Sequence, residues 1–296
     1  MSDPSLKWLA PVASLNDPVL VVMLTGWIDA GGAARAAADA IEDDTSASPI
    51  AEFDDDVYVD FRARRPVMEL RDGLNSVLNW ERIIVSLGRD QTGRDVVLLT
   101  GPEPDMAWHR FTSAVADMAR MLGARQMVHL GAYPFATPHT RPARVSVSSP
   151  SQDVLMRVPF LRSSIDVPAG VAASLEHELH DRGIAAMGIW AQVPHYIASM
   201  SYPAASVALL DGLREATGLV VDAATLRGEV MIQRRRLDAL VVNNDEHRSM
   251  VDQLEQIYDA GDDERELGSE PQPSTIEMRS ADEIAAEVEE FLRGQD

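Results

Sequence analysis

Apolar residues in this chain come in short runs that end at glycine or proline, and between the runs they recur at helical spacing. Pro18 to Gly26 (Pro-Val-Leu-Val-Val-Met-Leu-Thr-Gly) is continuously apolar, as suits a strand covered on both faces. It leads through Trp27-Ile28-Asp29-Ala30-Gly31-Gly32 into an Ala-rich helix ending near Asp43 and Asp44. Further strands are predicted over Ile50 to Phe53, Arg82 to Gly88, Val96 to Thr100, Gln126 to Gly131, Arg144 to Val147 and Ile184 to Val193. A helix follows Asp105, with Trp108, Phe111, Val115, Met118 and Leu122 on one face and Gly123 to end it. Two more are predicted, over Gly170 to Arg182 and over Pro203 to Thr217, the second opened by proline and closed by Gly218. Strands and helices alternate over roughly the first 220 residues, which predicts a three-layer α/β/α sandwich with a mostly parallel sheet.

The pattern changes after this core, assigned to residues 1–222. Over 223–259 the sequence predicts a long helix or helix pair. Val230, Gln233, Leu237, Leu240, Asn244, His247, Val251, Leu254 and Tyr258 form a seam at alternating spacings of three and four. Such a seam packs on the core or serves self-association. Residues 260–279 read as an acidic mobile linker. Residues 280–296 read as an amphipathic helix opened by the capping box Ser280 to Glu283, with Ile284, Val288, Phe291 and Leu292 on one face.

Charge sharpens this division. The formal net charge is −21, from 47 acids and 26 bases. Asp252 to Asp296 holds 15 acids and 3 bases, so that segment alone carries −12. The excess disfavours nucleic acid, whose affinity rests on Lys and Arg at phosphates, and anionic membranes. No apolar run approaches a membrane span and no leader pattern is visible, so a cytoplasmic location is expected. The chain has no Cys and a single lysine, Lys7, which excludes thiol chemistry and leaves little room for Schiff bases.

Four apolar strands end in polar, Gly- or Pro-rich turns: Gly26 to Gly31, Gly101 to Asp105, Gly131 to Pro142, and Val193 to Tyr196. In parallel sheets such turns converge at one edge, where ligands bind. Convergence brings together Trp27, Asp29, Glu103, Asp105, Tyr133, His139, Arg141, His195 and Tyr196, with Arg65 from a charged corner made by Asp60, Arg62, Arg64 and Arg65. That corner reads first as structural ion pairing and second as an anion clamp. The edge suits acid–base chemistry, a polar ligand pocket or a rigid protein-binding rim. No GxGxxG, P-loop or GxSxG fingerprint is present. His177-Glu178-Leu179-His180 lacks the i, i+4 spacing of a zinc helix, and Asp54-Asp55-Asp56 reads as a solvated turn, so no metal or cofactor is expected. The His139–Arg141 loop is expected to be exposed, with alanine substitutions there leaving the fold intact.

Several motifs stand in a familiar order. They are Gly26-Trp27-Ile28-Asp29-Ala30-Gly31, Asp60-Phe61-Arg62 with Arg65-Pro66, and Gly101 to Asp105 with Trp108 and Phe111. Gly131-Ala132-Tyr133 with Pro138 to Pro142, and Trp190 with Val193 to Tyr196, complete the set. Together they resemble the bacterial branch of the proteasome assembly chaperone 2 family, over roughly Pro11 to Tyr258. The resemblance implies a fold like that of purine nucleoside phosphorylases, self-association as rings or trimers, and a protein-interaction or assembly role with proteasome subunits as possible partners. The hydrophobic–Tyr–X tail of some assembly factors is not matched by Phe291 to Asp296, so docking through such a tail is not expected. The alternative reading is a hydrolase or transferase for a nucleoside-like or other polar metabolite. In that reading Glu103 or Asp29 acts as acid or base, Arg65 and Arg141 bind anions, and Trp27 or Tyr133 provides a stacking wall.

Overall fold

In the computed structural model, residues 3–242 and 244–266 are described. The strands are β1 (Leu6–Trp8), β2 (Val19–Thr25), β3 (Ser48–Phe53), β4 (Val67–Arg71), β5 (Leu74–Asn79), β6 (Ile84–Arg89), β7 (Asp95–Pro102), β8 (Gln126–Phe135), β9 (Val145–Ser148) and β10 (Ala185–Pro194). The helices are α1 (Ala33–Asp44), α2 (Asp55–Tyr58), α3 (Trp108–Leu122), α4 (Gln152–Leu155), α5 (Val171–Asp181), α6 (Pro203–Thr217), α7 (Ala224–Val242) and α8 (Asp245–Glu266). α8 continues through Ala260, where the composition predicts a linker to begin. The rest of that linker and the C-terminal amphipathic helix lie outside the described residues.

Eight strands form one sheet in the order β1-β3-β6-β7-β2-β8-β10-β9. β7, β2, β8 and β10 are mutually parallel, and the remaining pairings are antiparallel. The expected mostly parallel sheet is therefore a parallel quartet with antiparallel wings. Short returns such as 90–94, between β6 and β7, leave no room for a crossover helix, so those neighbours pair antiparallel.

β2 shows why the quartet is apolar throughout. Val19, Val21 and Met23 pack toward α1 and α6, while Leu20, Val22 and Leu24 pack toward α3 and α5. Phe53, Tyr58 and Phe111 anchor the second core with ring centroids 4.8–5.8 Å apart. Leu237 carries α7 onto the first core.

β4 and β5 form a separate two-stranded sheet that the apolar pattern did not predict. Its signal is Asp72-Gly73, both at positive φ (48° and 83°), as a two-residue hairpin turn demands.

Two glycines test this packing in opposite directions. Gly101 sits at φ +133°, and a Cβ there would lie 2.2 Å from the Arg82 carbonyl oxygen. Gly101→Ala should destabilise by on the order of 3 kcal/mol. Gly228 lies inside α7 with open space around it. Gly228→Ala should stabilise by roughly 0.5–1 kcal/mol. Urea midpoints measure both.

Candidate functional site

The four parallel strands end at one edge, and the sheet splits there. β2 pairs with β8 only from Val19–Val22 opposite Gln126–His129. Beyond that point β2 follows β7 to Thr25 and β8 follows β10 to Phe135. The loop after β2 enters the gap, and Asp29 makes a single bridge to Ala132.

The first group of predicted residues gathers beside this split. The Asp29 carboxylate accepts from the backbone N–H of Ala34 (2.8 Å) and Arg35 (3.1 Å), capping α1. Burial raises the Asp29 pKa against those two bonds. Glu103, at the end of β7, accepts from Val171 N–H (2.9 Å) and so caps α5. Burial raises its pKa too, opposed by that N–H and by Arg64. Trp27 lies against Gly170, where an added Cβ would stand 3.0 Å from its ring and 2.7 Å from Glu103 Oε2. Asp105 accepts from Asp60 N–H (2.9 Å) and from Arg64 Nε (3.1 Å).

The arginine at this site is Arg64, where the sequence expectation named Arg65. Arg64 also faces the Glu103 carbonyl (3.5 Å) and Glu81 (3.7 Å), and it fills the space that a side chain at Gly26 would need. Arg65 is exposed and forms no ion pair among the described residues. The charged corner is thus an ion-paired buttress centred on Asp105.

A second group forms apart from the first, beneath α7 and α8. His139 is 5% exposed, so the expectation of an exposed loop is corrected. The loop is covered because the C-terminal helices supply its polar partners. Tyr196 Oη accepts from His139 N–H (2.8 Å) and lies 2.7 Å from Nδ1. Nε2 stands 3.3 Å from Asp238 Oδ1, close enough for Coulomb attraction but off hydrogen-bond geometry. Burial lowers the His139 pKa despite Asp238 and raises that of Tyr196 to about 12. Arg141 pairs with Glu255 (3.0 Å), and Thr140 donates to the same carboxylate. Arg144 stacks on the Tyr258 ring, 3.3 Å from its centroid, and Tyr258 Oη donates to the Pro142 carbonyl (3.0 Å). The cavity left beside His139 measures about 120 Å³.

The other two candidates belong to neither group. Tyr133 bonds to Ser146 and Gln192 at 3.2 Å each, and His195 is exposed with its ring against Tyr196.

A further polar cluster was not singled out from the sequence. Glu176 is 4% exposed under α5, and the Ser148 hydroxyl donates to its Oε1 (3.1 Å). Trp190 Nε1 donates to that same hydroxyl (3.2 Å). Burial pushes the Glu176 pKa up to about 8, against the Ser148 bond. His129 packs edge-on to Trp190, and burial lowers its pKa to about 4. The available signal was glycine inside strands. A Cβ at Gly188 would meet Glu176, Ser148 and Trp190 within 2.9 Å, and one at Gly131 would meet the Trp190 ring at 2.4 Å.

Among the described residues, no group of three or more His, Asp or Glu side chains is placed to hold a metal ion. No helix among them is long and apolar enough to cross a membrane. The PAC2 family model matches residues 23–241, nearly three quarters of the chain. The chain belongs to the PAC2 family. A PAC2 protein therefore carries both groups of the edge within its family region, while Glu255 and Tyr258 reach the loop from α8, beyond the matched residues.

Solved structures agree with this assignment. A protein of unknown function from Corynebacterium glutamicum superposes with a TM-score of 0.81 at 30% identity, over 87% of this chain and 98% of its own. A Mycobacterium tuberculosis protein of unknown function gives 0.81 at 32%, over 90% and 93%. A Mycobacterium tuberculosis proteasome-assembly chaperone homologue gives 0.73 at 32%, over 79% and 99%. No curated protein matches this PAC2 chain.

Two substitutions test the site. His139→Ala removes a buried ring held by Tyr196 and should lower stability by roughly 1–3 kcal/mol in urea unfolding. Glu176 gives a pH signature. Its carboxyl keeps a proton in the folded state up to about pH 8, whereas the unfolded chain releases it near the ordinary value of 4.5. Between those values stability falls as pH rises. The buried neutral His129 and His139 oppose this only at pH values below their ordinary 6.5. From pH 6.5 to 8 the wild type should lose stability relative to Glu176→Gln, with a slope approaching about 1.4 kcal/mol per pH unit. Parallel curves would show that Glu176 is already ionised.

Proposed function

We propose that this PAC2 protein is a protein-interaction or assembly scaffold in the cytoplasm, working as a homo-oligomer and taking proteasome subunits as its partner class. One observation carries this reading: the groups that acid–base chemistry would use at the carboxyl edge are already engaged in holding the fold. Asp29 and Glu103 cap helices, Asp105 holds Arg64 and the Asp60 turn, and His139 is held by Tyr196 through its backbone N–H and Nδ1. Beside these groups the edge presents large apolar side chains to solvent. Trp27 and Ile28 are 44% and 40% exposed, with Met106 and Met200 on the adjoining loops. Gly31 bonds to Ala198 and Tyr202, which ties the Trp27 loop to the Met200 loop. A rim of large apolar side chains beside carboxylates engaged in helix caps and an ion pair suits a protein surface. The cavity of about 120 Å³ at His139 is smaller than the pockets of about 300–1,000 Å³ that hold metabolites.

The relatives support the partner class, since one solved neighbour is a proteasome-assembly chaperone homologue at 32% identity. A nucleoside phosphorylase-like sheet is compatible with this role, because fold alone does not fix chemistry.

The test is affinity capture of the full chain from its own cells, beside Trp27→Ala and Ile28→Asp variants. Wild type should recover proteasome subunits, and each variant should reduce recovery at least tenfold without lowering the melting temperature. Unchanged recovery would remove the rim from the reading. A copurified nucleoside-like metabolite in native mass spectrometry, displaced by Glu103→Gln, would replace it with the enzyme reading.

A further inference from the structure

The segment that joins β1 to β2 leaves its own backbone unpaired. It is pinned at both ends, by Leu9 N–H on the Ile50 carbonyl (2.9 Å) and by Asn16 N–H on the Asp95 carboxylate (2.6 Å). Between these anchors residues 11–15 run without a turn or a bend. Among the described residues, none of the five donates or accepts a backbone hydrogen bond. Val12 and Leu15 pack against the second core, while Pro11, Ala13 and Ser14 are exposed. No charged residue stands between Lys7 and Asp17. A straight, uncharged strap with open N–H and C=O groups is an unguarded strand edge, a template for pairing with another chain.

The strap lines a groove of about 890 Å³ at the amino edge of the parallel strands, together with Met121, Leu122 and Gly123 where α3 ends. Leu9 and Met121 are 46% and 59% exposed along it. Two charged side chains reach the groove, Asp17 and Arg125. Asp17 is already paired with Arg94 at 2.8 Å. Arg125 is exposed, and its side chain makes no ion pair or hydrogen bond among the described residues. Val19 stands opposite Gln126 in the β2–β8 register, so Arg125 lies beside Pro18, at the downstream end of the strap. The groove therefore offers a row of open backbone groups, an apolar lining and one uncompensated cation at one end. An acyl chain would use the lining and the cation but leave the strap's backbone to water. A peptide uses all three. Five residues of strand span about 16 Å, which matches the strap to a peptide of similar length.

We propose that this groove binds the free C-terminus of a partner protein in extended form, added as a strand along residues 11–15 with its terminal carboxylate on Arg125. Main-chain bonds to the strap hold the peptide, and alternate apolar side chains enter the groove beside the end of α3. The carboxylate supplies the charge that Arg125 lacks, and a charge confined to one end of the groove suits a chain terminus. This is a second binding surface, at the edge of the sheet opposite the Trp27 rim, and it stands whatever partner that rim takes.

The probe is a library of random hexapeptides displayed with free C-termini and panned on the full chain. A selected peptide is then titrated by fluorescence anisotropy as the free acid and as the C-terminal amide. Selected peptides should carry apolar residues at alternate positions, and amidation should weaken binding roughly tenfold or more. Arg125→Gln should cause a loss of similar size at unchanged melting temperature. Alternate N–H groups of an extended chain face opposite ways. One of Ala13→Pro and Ser14→Pro should therefore abolish binding while the other largely preserves it. Should a proline variant melt lower, amidation and Arg125→Gln decide the matter alone. A library that enriches nothing, binding indifferent to amidation, or a peptide held equally well by all three variants would overturn the proposal. Dodecanoate bound with no peptide enriched would overturn it in favour of an acyl ligand. A dimer in light scattering that Leu9→Asp dissociates would overturn it in favour of a second copy covering the groove.

Discussion

Two helices that frame the carboxyl edge begin at glycine and take their caps from carboxylates elsewhere in the chain. The first turns of α1 and α5 leave N–H groups without partners and carry partial positive charge. Their N-cap residues, Gly32 and Gly170, have no side chain to offer. Gly32 needs its positive φ of 58°, and Gly170 needs the space taken by Trp27 and Glu103. Asp29 and Glu103 therefore supply the acceptors. The first holds the Trp27 loop in the gap between β2 and β8. The second fixes the start of α5, and the same helix carries Glu176 over the glycine strip of β10 and β8. Loop, helix and buried carboxyl are consequences of the same capping arrangement.

That arrangement decides which parts of the edge remain available to a partner. A carboxylate that accepts two backbone N–H bonds is oriented and partly desolvated, which makes it a poor proton shuttle unless the helix start opens. On the other side of the edge, α7 and α8 cover the His139 loop through Asp238, Glu255 and Tyr258. The open remainder is the apolar rim at Trp27, Ile28 and Met106, continuous with the ion-paired buttress at Arg64 and Asp105. A rim whose loops are tied down by helix caps and an ion pair has less backbone freedom to lose when another protein covers it, which favours recognition over turnover.

The parallel quartet was legible because burial on both faces makes strands such as β2 and β10 read as unbroken apolar runs. α3 was equally plain, with Phe111, Val115, Met118 and Leu122 spaced for one buried face and Gly123 at φ +79° to stop it. The hairpin was missed because Val67 to Asn79 lacks the clean alternation of a half-buried strand, although Asp72-Gly73 marked its turn. Pairing direction was legible only in the length of the returns, since β6 reads as another apolar strand and only the short 90–94 segment marks its antiparallel pairing with β7. For the site, residue types at strand ends located the edge. Which arginine turned inward and which loop was covered depended on tertiary partners. Arg64 and Arg65 are indistinguishable in sequence until Asp105 is known to lie beside one of them.

The near absence of lysine acquires a structural meaning at these contacts. Arg94 reaches the Asp17 carbonyl at 2.7 Å, the Asp17 carboxylate at 2.8 Å and the Thr217 carbonyl, joining the start of β2 to the end of α6. Arg182 bonds to Ser113 on α3 (2.9 Å) and to Glu178 within α5 (2.7 Å). Arg144 binds both the ring and the carbonyl of Tyr258. Each case uses several fixed donors of a planar guanidinium, a geometry that an ammonium group lacks. The single lysine instead makes a simple surface pair, Lys7 with Glu52. Bases that look in composition like a modest counterweight to the acids therefore act at many of these sites as cross-links between elements.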